Sequence, residues 1–181
     1  MKSIHINCDM AESYGMLKTG DDLSILPFVD AVNIACGFHG GDPLTIETTL
    51  RHSIIKGKQI GAHPSFPDLM GFGRRDMLID HKELAAILRY QICAVKALTE
   101  NLGGHLHHVK AHGALYNKAV TDAQIAGIFV RVVAEIDPDL IIFAPYGSEM
   151  AKCAISKGIK VMNESFGDRK YGLSGHLVDR N

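Results

Sequence analysis

Residues 30–43 read DAVNIACGFHGGDP, and the fold follows from this stretch. A short apolar run, Ala31–Ala35, leads into a glycine-rich loop carrying His39. Asp42 and Pro43 then open a helix as N-cap and first-turn proline. The helix places Ile46, Leu50 and Ile54 on one face and stops at Gly57. The same alternation of short apolar run and amphipathic helix continues along the chain. Further strands are expected at residues 4–8, 59–62, 107–110, 140–143 and 160–162. Asp80 and Glu83 open the longest helix in a capping-box-like spacing, with a stripe of Leu84, Ile87, Leu88, Val95, Leu98 and Leu102 that ends at Gly103 and Gly104. Thr121 and Gln124 read as a second box, whose helix closes at Asp137 and Pro138. Ser148 caps a last helix that stops near Gly158.

Strands alternating with helices imply a parallel sheet with right-handed crossovers. The 181 residues fit one domain, 1–181, with no internal repeat or linker. A closed (β/α) barrel usually takes about eight strands and ~250 residues. Six strands therefore mean either an open sheet or a shortened barrel lacking its final elements. An open sheet edge would favour self-association, so a homo-oligomer is expected. Net charge is −1, with 22% charged residues, which leaves no electrostatic footprint for nucleic acid or an anionic membrane. No apolar run reaches the ~18–20 residues of a membrane helix, and MKSIHINCDM lacks the apolar core of a secretory signal, so a cytoplasmic protein is expected. Cys8, Cys36, Cys93 and Cys153 show no CxxC spacing and read as reduced thiols. There is no GxGxxG after the first strand and no GxxxxGK[ST], so neither nucleotide-binding fold is supported.

The polar residues gather where strands end. NCDMAESYG delivers Asn7 and Asp9 on alternate positions, hence on one face, and Glu12 just beyond. Asn33 lies on the second strand, with His39 in the loop after it. IGAHPSFPDLMGFGRRDM carries His63 directly after its strand, then Arg74 and Arg75, two guanidiniums suited to a carboxylate or phosphate. VKAHGALYN offers Lys110 and His112 on one face, with Tyr116 and Asn117 beyond. Asn163, Glu164, Asp168 and Arg169 follow the sixth strand. In a barrel these ends converge on one mouth. Carboxylates and imidazoles gathered there can move protons, and a lysine can stabilise charge developing on oxygen. Asp9, His39, His63 and His112 are also a plausible divalent-metal set, although no HxxxH or HExxH spacing supports one. His105, His107 and His108 precede the mouth and are assigned to the opposite rim or the barrel wall.

NCDMAESYG, DAVNIACGFHGGDP, IGAHPSFPDLMGFGRRDM, VKAHGALYN and ESFGDRKYGLSGHLV together resemble the LamB/YcsF family, the A subunits of bacterial 5-oxoprolinase. The resemblance runs the length of the chain. It implies a TIM-like (β/α) barrel of the glycoside hydrolase and deacetylase type. It also implies opening of the 5-oxoproline lactam to L-glutamate with ATP as co-substrate, alongside separate B and C subunits. The family positions carried over are Asn7, Asp9, Glu12, Asn33, His39, His63, Arg74, Lys110, His112, Tyr116, Asp168 and Arg169. Of these, Asp9, Glu12, His39, His63, Lys110 and His112 are expected to act in catalysis. Asn7, Asn33, Arg74, Arg75, Tyr116, Asp168 and Arg169 are expected to bind substrate. Ala11 and Ser13 stand where the family commonly has glycine, Ala111 where it usually has proline and Ser174 where it often has aspartate. Family members also run well past residue 181. Two other functions remain open at this stage: a metal-dependent deacetylase on the same barrel, and a substrate-binding subunit without catalysis of its own.

Overall fold

The computed structural model describes residues 4–172. Six strands, β1 (Asn7–Met10), β2 (Ala31–Ala35), β3 (Gln59–His63), β4 (Leu106–Val109), β5 (Ile141–Pro145) and β6 (Val161–Glu164), form one parallel sheet in sequence order. The helices are α1 (Asp22–Ile25), α2 (Pro43–Ile55), α3 (His81–Asn101), α4 (Gly113–Thr121), α5 (Ala123–Ile136) and α6 (Glu149–Ser156), with a 3₁₀ turn at Leu26–Phe28. The sheet curls into a half-barrel: the Asn7 side-chain amide on β1 comes within 3.4 Å of Glu164 Oε2 on β6.

Packing follows the sequence pattern. β2 is buried throughout, as expected of a parallel strand covered on both faces. Leu84, Leu88 and Ile92 of α3, Phe129 of α5, Leu50 of α2 and Ile34 and Ile142 of the sheet are fully buried. Each such side chain stabilises the fold by about 1.5–3 kcal/mol. The expected caps are present: Asp42 accepts from the Leu44 and Thr45 amides, Asp80 from Lys82 and Ser148 from Ala151.

The inner face of the sheet is polar and layered. Asn33, Gly61 and His108 lie in register across β2, β3 and β4. The His108 ring occupies the space over Gly61, where an added Cβ would lie 2.2 Å from its Nε2. The ring also stacks on Phe143 of β5 at 4.0 Å between centroids. Asp9 of β1 lies level with Asn33, and His63 and Lys110 stand one step nearer the carboxyl ends.

Three expectations need correction. The first strand begins at Asn7, later than the apolar run suggests. Pairing starts only where β2 supplies a partner, at Asn7 against Ala31, and Ile4 and Ile6 are left exposed. The segment after His112 is a helix, α4, held by its buried Leu115, Tyr116 and Ala119 and by a bond from the Ala114 amide to the Gly73 carbonyl. Thr121 therefore ends α4, and Asp122 caps α5 by accepting from the Gln124 and Ile125 amides. Ser174 lies outside the described residues.

Candidate active site at the strand carboxyl ends

The centre of the site is an ion pair. Lys110, just past β4, donates from Nζ to Asp9 Oδ1 at 2.7 Å. The Asn33 amide donates to the same oxygen at 2.8 Å and to Asn7 Oδ1 at 2.7 Å. His108 Nε2 lies 2.8 Å from Asn33 Oδ1 and fixes the amide's orientation. His63 Nε2 is 3.2 Å from Asp9 Oδ2. Burial alone would raise the Asp9 pKa, but the charges and hydrogen bonds of His63 and Lys110 hold it well below the carboxylate range. Burial likewise works against the Lys110 charge, and Asp9 and Glu164 more than offset it, so the ammonium pKa is raised. The pair is therefore ionised across the neutral range.

A second group lies beside it. Glu12, His39, His63 and His112 each bring one donor atom to within 4.8 Å of the others. His39 Nε2 is 3.0 Å from Glu12 Oε1, and His112 Nδ1 is 3.4 Å from the same oxygen. The His39 and His112 rings stack at 3.7 Å. Burial first, and then the neighbouring His63, pushes the pKa of both His39 and His112 down, while burial raises that of Glu12. Of the sequence's metal candidates, Asp9 is engaged by Lys110, and Glu12 completes the cluster in its place. The loop Phe72–Gly73 seals one side. Gly73 has φ +65°, and a Cβ there would lie 2.8 Å from both His39 Cβ and His112 Cδ2, so only glycine fits.

A cavity of about 470 Å³ opens over the ion pair. It is lined by the acid–base residues Asp9, His63, Lys110 and His112 together with Arg74, Tyr116, Asn117, Phe166 and Arg169. Arg74 rests on the Phe72 ring at 5.0 Å and Lys110 faces Phe166 at 5.3 Å. Tyr116 is buried next to Glu164, and that carboxylate, with burial as the larger cause, raises the phenol's pKa. Asn7 and Asn33 are absent from the lining, and Asn33 supports Asp9 through its 2.8 Å bond.

Arg75 and Asp168 are not brought to the cavity wall. Arg75 turns back to the buried Asp68, its Nε 2.9 Å from Oδ1, and the same carboxylate ties the Gly71 and Arg75 amides. Asp168 is exposed. Two residues left out of the expected set matter here. His108 faces inward and supports Asn33, which strict alternation with Lys110 could have indicated. Glu164 adds a second carboxylate beside Lys110, and burial raises its pKa. Burial also keeps Cys8 and Cys36 protonated, with pKa values pushed up to about 11 and about 12.

Fold and site together define an α/β half-barrel with a buried acid–base centre at the carboxyl ends of its strands. The chain belongs to the LamB/YcsF family, which it matches over residues 4–181. It is 46% identical over 180 residues to a protein of Geobacillus thermodenitrificans named as the A subunit of 5-oxoprolinase, covering 99% of this chain and 70% of that one. A protein of the same name from Bordetella pertussis is 45% identical over 178 residues, covering 98% of this chain and 71% of its own. The crystal structure of a lactam utilization protein from Thermus thermophilus superposes with a TM-score of 0.94 at 42% identity, covering 99% of this chain and 72% of that one. No helix among the described residues is long and apolar enough to cross a membrane.

Proposed function

We propose that this chain is the lactam-binding and ring-opening part of a 5-oxoprolinase, working with B and C subunits and ATP. The observation that carries this reading is the ionised Asp9–Lys110 pair in the lining of a cavity that Arg74 and Arg169 also line. Relatives at 45–46% identity are named as A subunits of 5-oxoprolinase, and a carboxylated lactam matches the charges. A guanidinium of the lining, Arg74 or Arg169, binds the substrate carboxylate, and the lactam carbonyl points towards Lys110.

An amide carbonyl is a poor electrophile, and phosphorylation of its oxygen by ATP makes it a better one. Water, deprotonated by Asp9 or Glu12, then adds to that carbon. The ring C–N bond breaks as the nitrogen takes the proton that the base removed from water, passed on through His63, leaving an amine and an acyl phosphate. A second water hydrolyses the acyl phosphate to glutamate and phosphate. Lys110 offsets the negative charge that develops on oxygen at each addition. Glu12, with its raised pKa, is the stronger base of the two, whereas Asp9 is the one that lines the cavity. His39, His63 and His112 relay protons from the cavity wall inward.

The test is 5-oxoproline hydrolysis by the assembled A, B and C subunits with ATP, comparing wild type with Asp9→Asn and Lys110→Met. Loss of about 10²–10⁴-fold in kcat is expected for Asp9→Asn if it is the base. Turnover within a few-fold of wild type in both variants would refute the assignment. A second reading, metal-assisted amide hydrolysis without ATP, draws on the Glu12–His39–His63–His112 cluster. Amide cleavage by this chain alone, abolished by a chelator, would favour it.

A further inference from the structure

Two backbone carbonyls determine the tautomers of adjacent imidazoles. The Lys110 carbonyl lies 2.7 Å from His63 Nδ1, and the Phe72 carbonyl 2.8 Å from His112 Nε2. A carbonyl oxygen only accepts, so both of those nitrogens carry hydrogen. With both rings neutral, the other nitrogen of each presents a lone pair; a proton on His63 Nε2, the form that donates to Asp9 Oδ2 at 3.2 Å, is the alternative. Those two lone pairs, on His63 Nε2 and His112 Nδ1, face each other at 3.0 Å. Two acceptors at that separation repel unless a positive charge lies between or beside them. Glu12 Oε1 adds a third acceptor 3.4 Å from His112 Nδ1.

His39 completes the picture. Its Nε2 is 3.0 Å from Glu12 Oε1, and its buried Nδ1 has no hydrogen-bond partner. All three imidazoles are buried, at 1% exposure for His39 and His63 and 6% for His112. From this geometry we infer that Glu12, His39, His63 and His112 form a site for one divalent cation of the zinc class. Four donors at about 2.0–2.1 Å from a tetrahedral ion stand roughly 3.4 Å apart. The closest donor separations here are 3.0–3.4 Å and all four donors fall within 4.8 Å, so seating one ion spreads the closest pairs slightly and draws the farther ones inward. A ligating histidine typically donates its second N–H to a carbonyl or carboxylate, which is the arrangement of His63 and His112. Three imidazoles and one carboxylate suit zinc or cobalt, whereas magnesium and calcium take oxygen donors. An occupied site takes Glu12 and the three histidines out of the proton relay and leaves Asp9 as the base, while cation binding itself does not depend on the lactam reading.

The experiment uses the full chain, freed of metal with a chelator and then titrated with Zn²⁺ by calorimetry and with Co²⁺ by visible absorption. Expected are one ion per chain, the intense bands of tetrahedral cobalt, and no saturable binding of Mg²⁺ or Ca²⁺. His63→Ala and His112→Ala should each weaken Zn²⁺ binding by at least about 100-fold, the upper end of what loss of an outer-shell partner costs. The wild-type titration decides the matter even if a variant misfolds. Absence of saturable Zn²⁺ and Co²⁺ binding to the wild-type chain would overturn the proposal. So would unchanged affinity in both folded variants. A strongly deshielded imidazole proton in a wild-type chain that binds neither ion would identify a shared proton as the positive charge instead.

Discussion

Replacing Gly61 by alanine tests how the floor of the site is built. The new Cβ would stand 2.2 Å from His108 Nε2, 2.3 Å from Cδ2 and 2.5 Å from Cε1. The ring has little room to retreat, because it stacks on Phe143 at 4.0 Å and bonds to Asn33 at 2.8 Å. Overpacking of this kind costs about 1–3 kcal/mol. Moving the ring off Asn33 leaves a buried amide oxygen unpaired, at about 1–3 kcal/mol more. The expected loss is about 4 kcal/mol. With a urea slope of about 2 kcal/mol per M, that lowers the unfolding midpoint by about 2 M. The decisive comparison is a double-mutant cycle with His108→Ala. Once the ring is gone, Gly61→Ala should cost less than about 1 kcal/mol, giving a coupling of about 3 kcal/mol. Equal midpoint shifts for Gly61→Ala in the two backgrounds would refute the reasoning.

Acid should destabilise the fold earlier than carboxylate protonation alone would. The pKa values of His39, His108 and His112 are held below the usual 6.5, chiefly by burial. Below pH 6.5 the unfolded chain therefore binds more protons than the folded one, and stability falls as pH falls. Between pH 7.5 and 5.5 the three together account for up to about 4 kcal/mol, measurable by urea titration in the presence of a chelator. Asp42→Ala removes a cap whose Oδ1 accepts from Leu44 and Thr45 and whose Oδ2 accepts from Gly15. A loss of about 1 kcal/mol is expected at neutral pH. Because those backbone bonds lower the Asp42 pKa to about 2, the difference from wild type should shrink as pH drops from 4 towards 2. Gln91→Leu strands the Ser65 amide and carbonyl, which now bond to that side chain at 3.0 and 2.9 Å. About 2–4 kcal/mol should be lost in thermal or urea unfolding, with the helix content of the folded state unchanged.

The alternation of strand and helix was legible because each helix start carries its own chemical mark, as Asp42–Pro43, Asp80 and Ser148 do. Helix α4 was not, because Gly113 and a histidine without a side-chain cap bond open it, and its stability comes from tertiary burial of Leu115 and Tyr116. The convergence of Asp9, His63, Lys110 and His112 could be read from their places at strand ends. Their partnerships could not. Whether Asp9 or Glu12 joins the histidines depends on the path of the Ala11–Glu12 turn, where Ala11 adopts φ 60° at a position the family commonly fills with glycine. Likewise, nothing local distinguishes Arg74, which reaches the cavity, from Arg75, which turns to Asp68. That choice belongs to the left-handed turn at Phe72 and Gly73.

The Asn7–Glu164 approach links residues 157 positions apart, and the Lys110–Asp9 bond links residues 101 apart. No sub-fragment of the chain contains the whole rim, since its groups arrive on the first strand, the last strand and those between. Ring closure over such spans is entropically slow and comes late in folding. Occupancy of the cavity by any small ligand thus reports on the entire half-barrel. A partially folded chain, however helical, should be inert, and ligand binding should vanish with the first cooperative unfolding step.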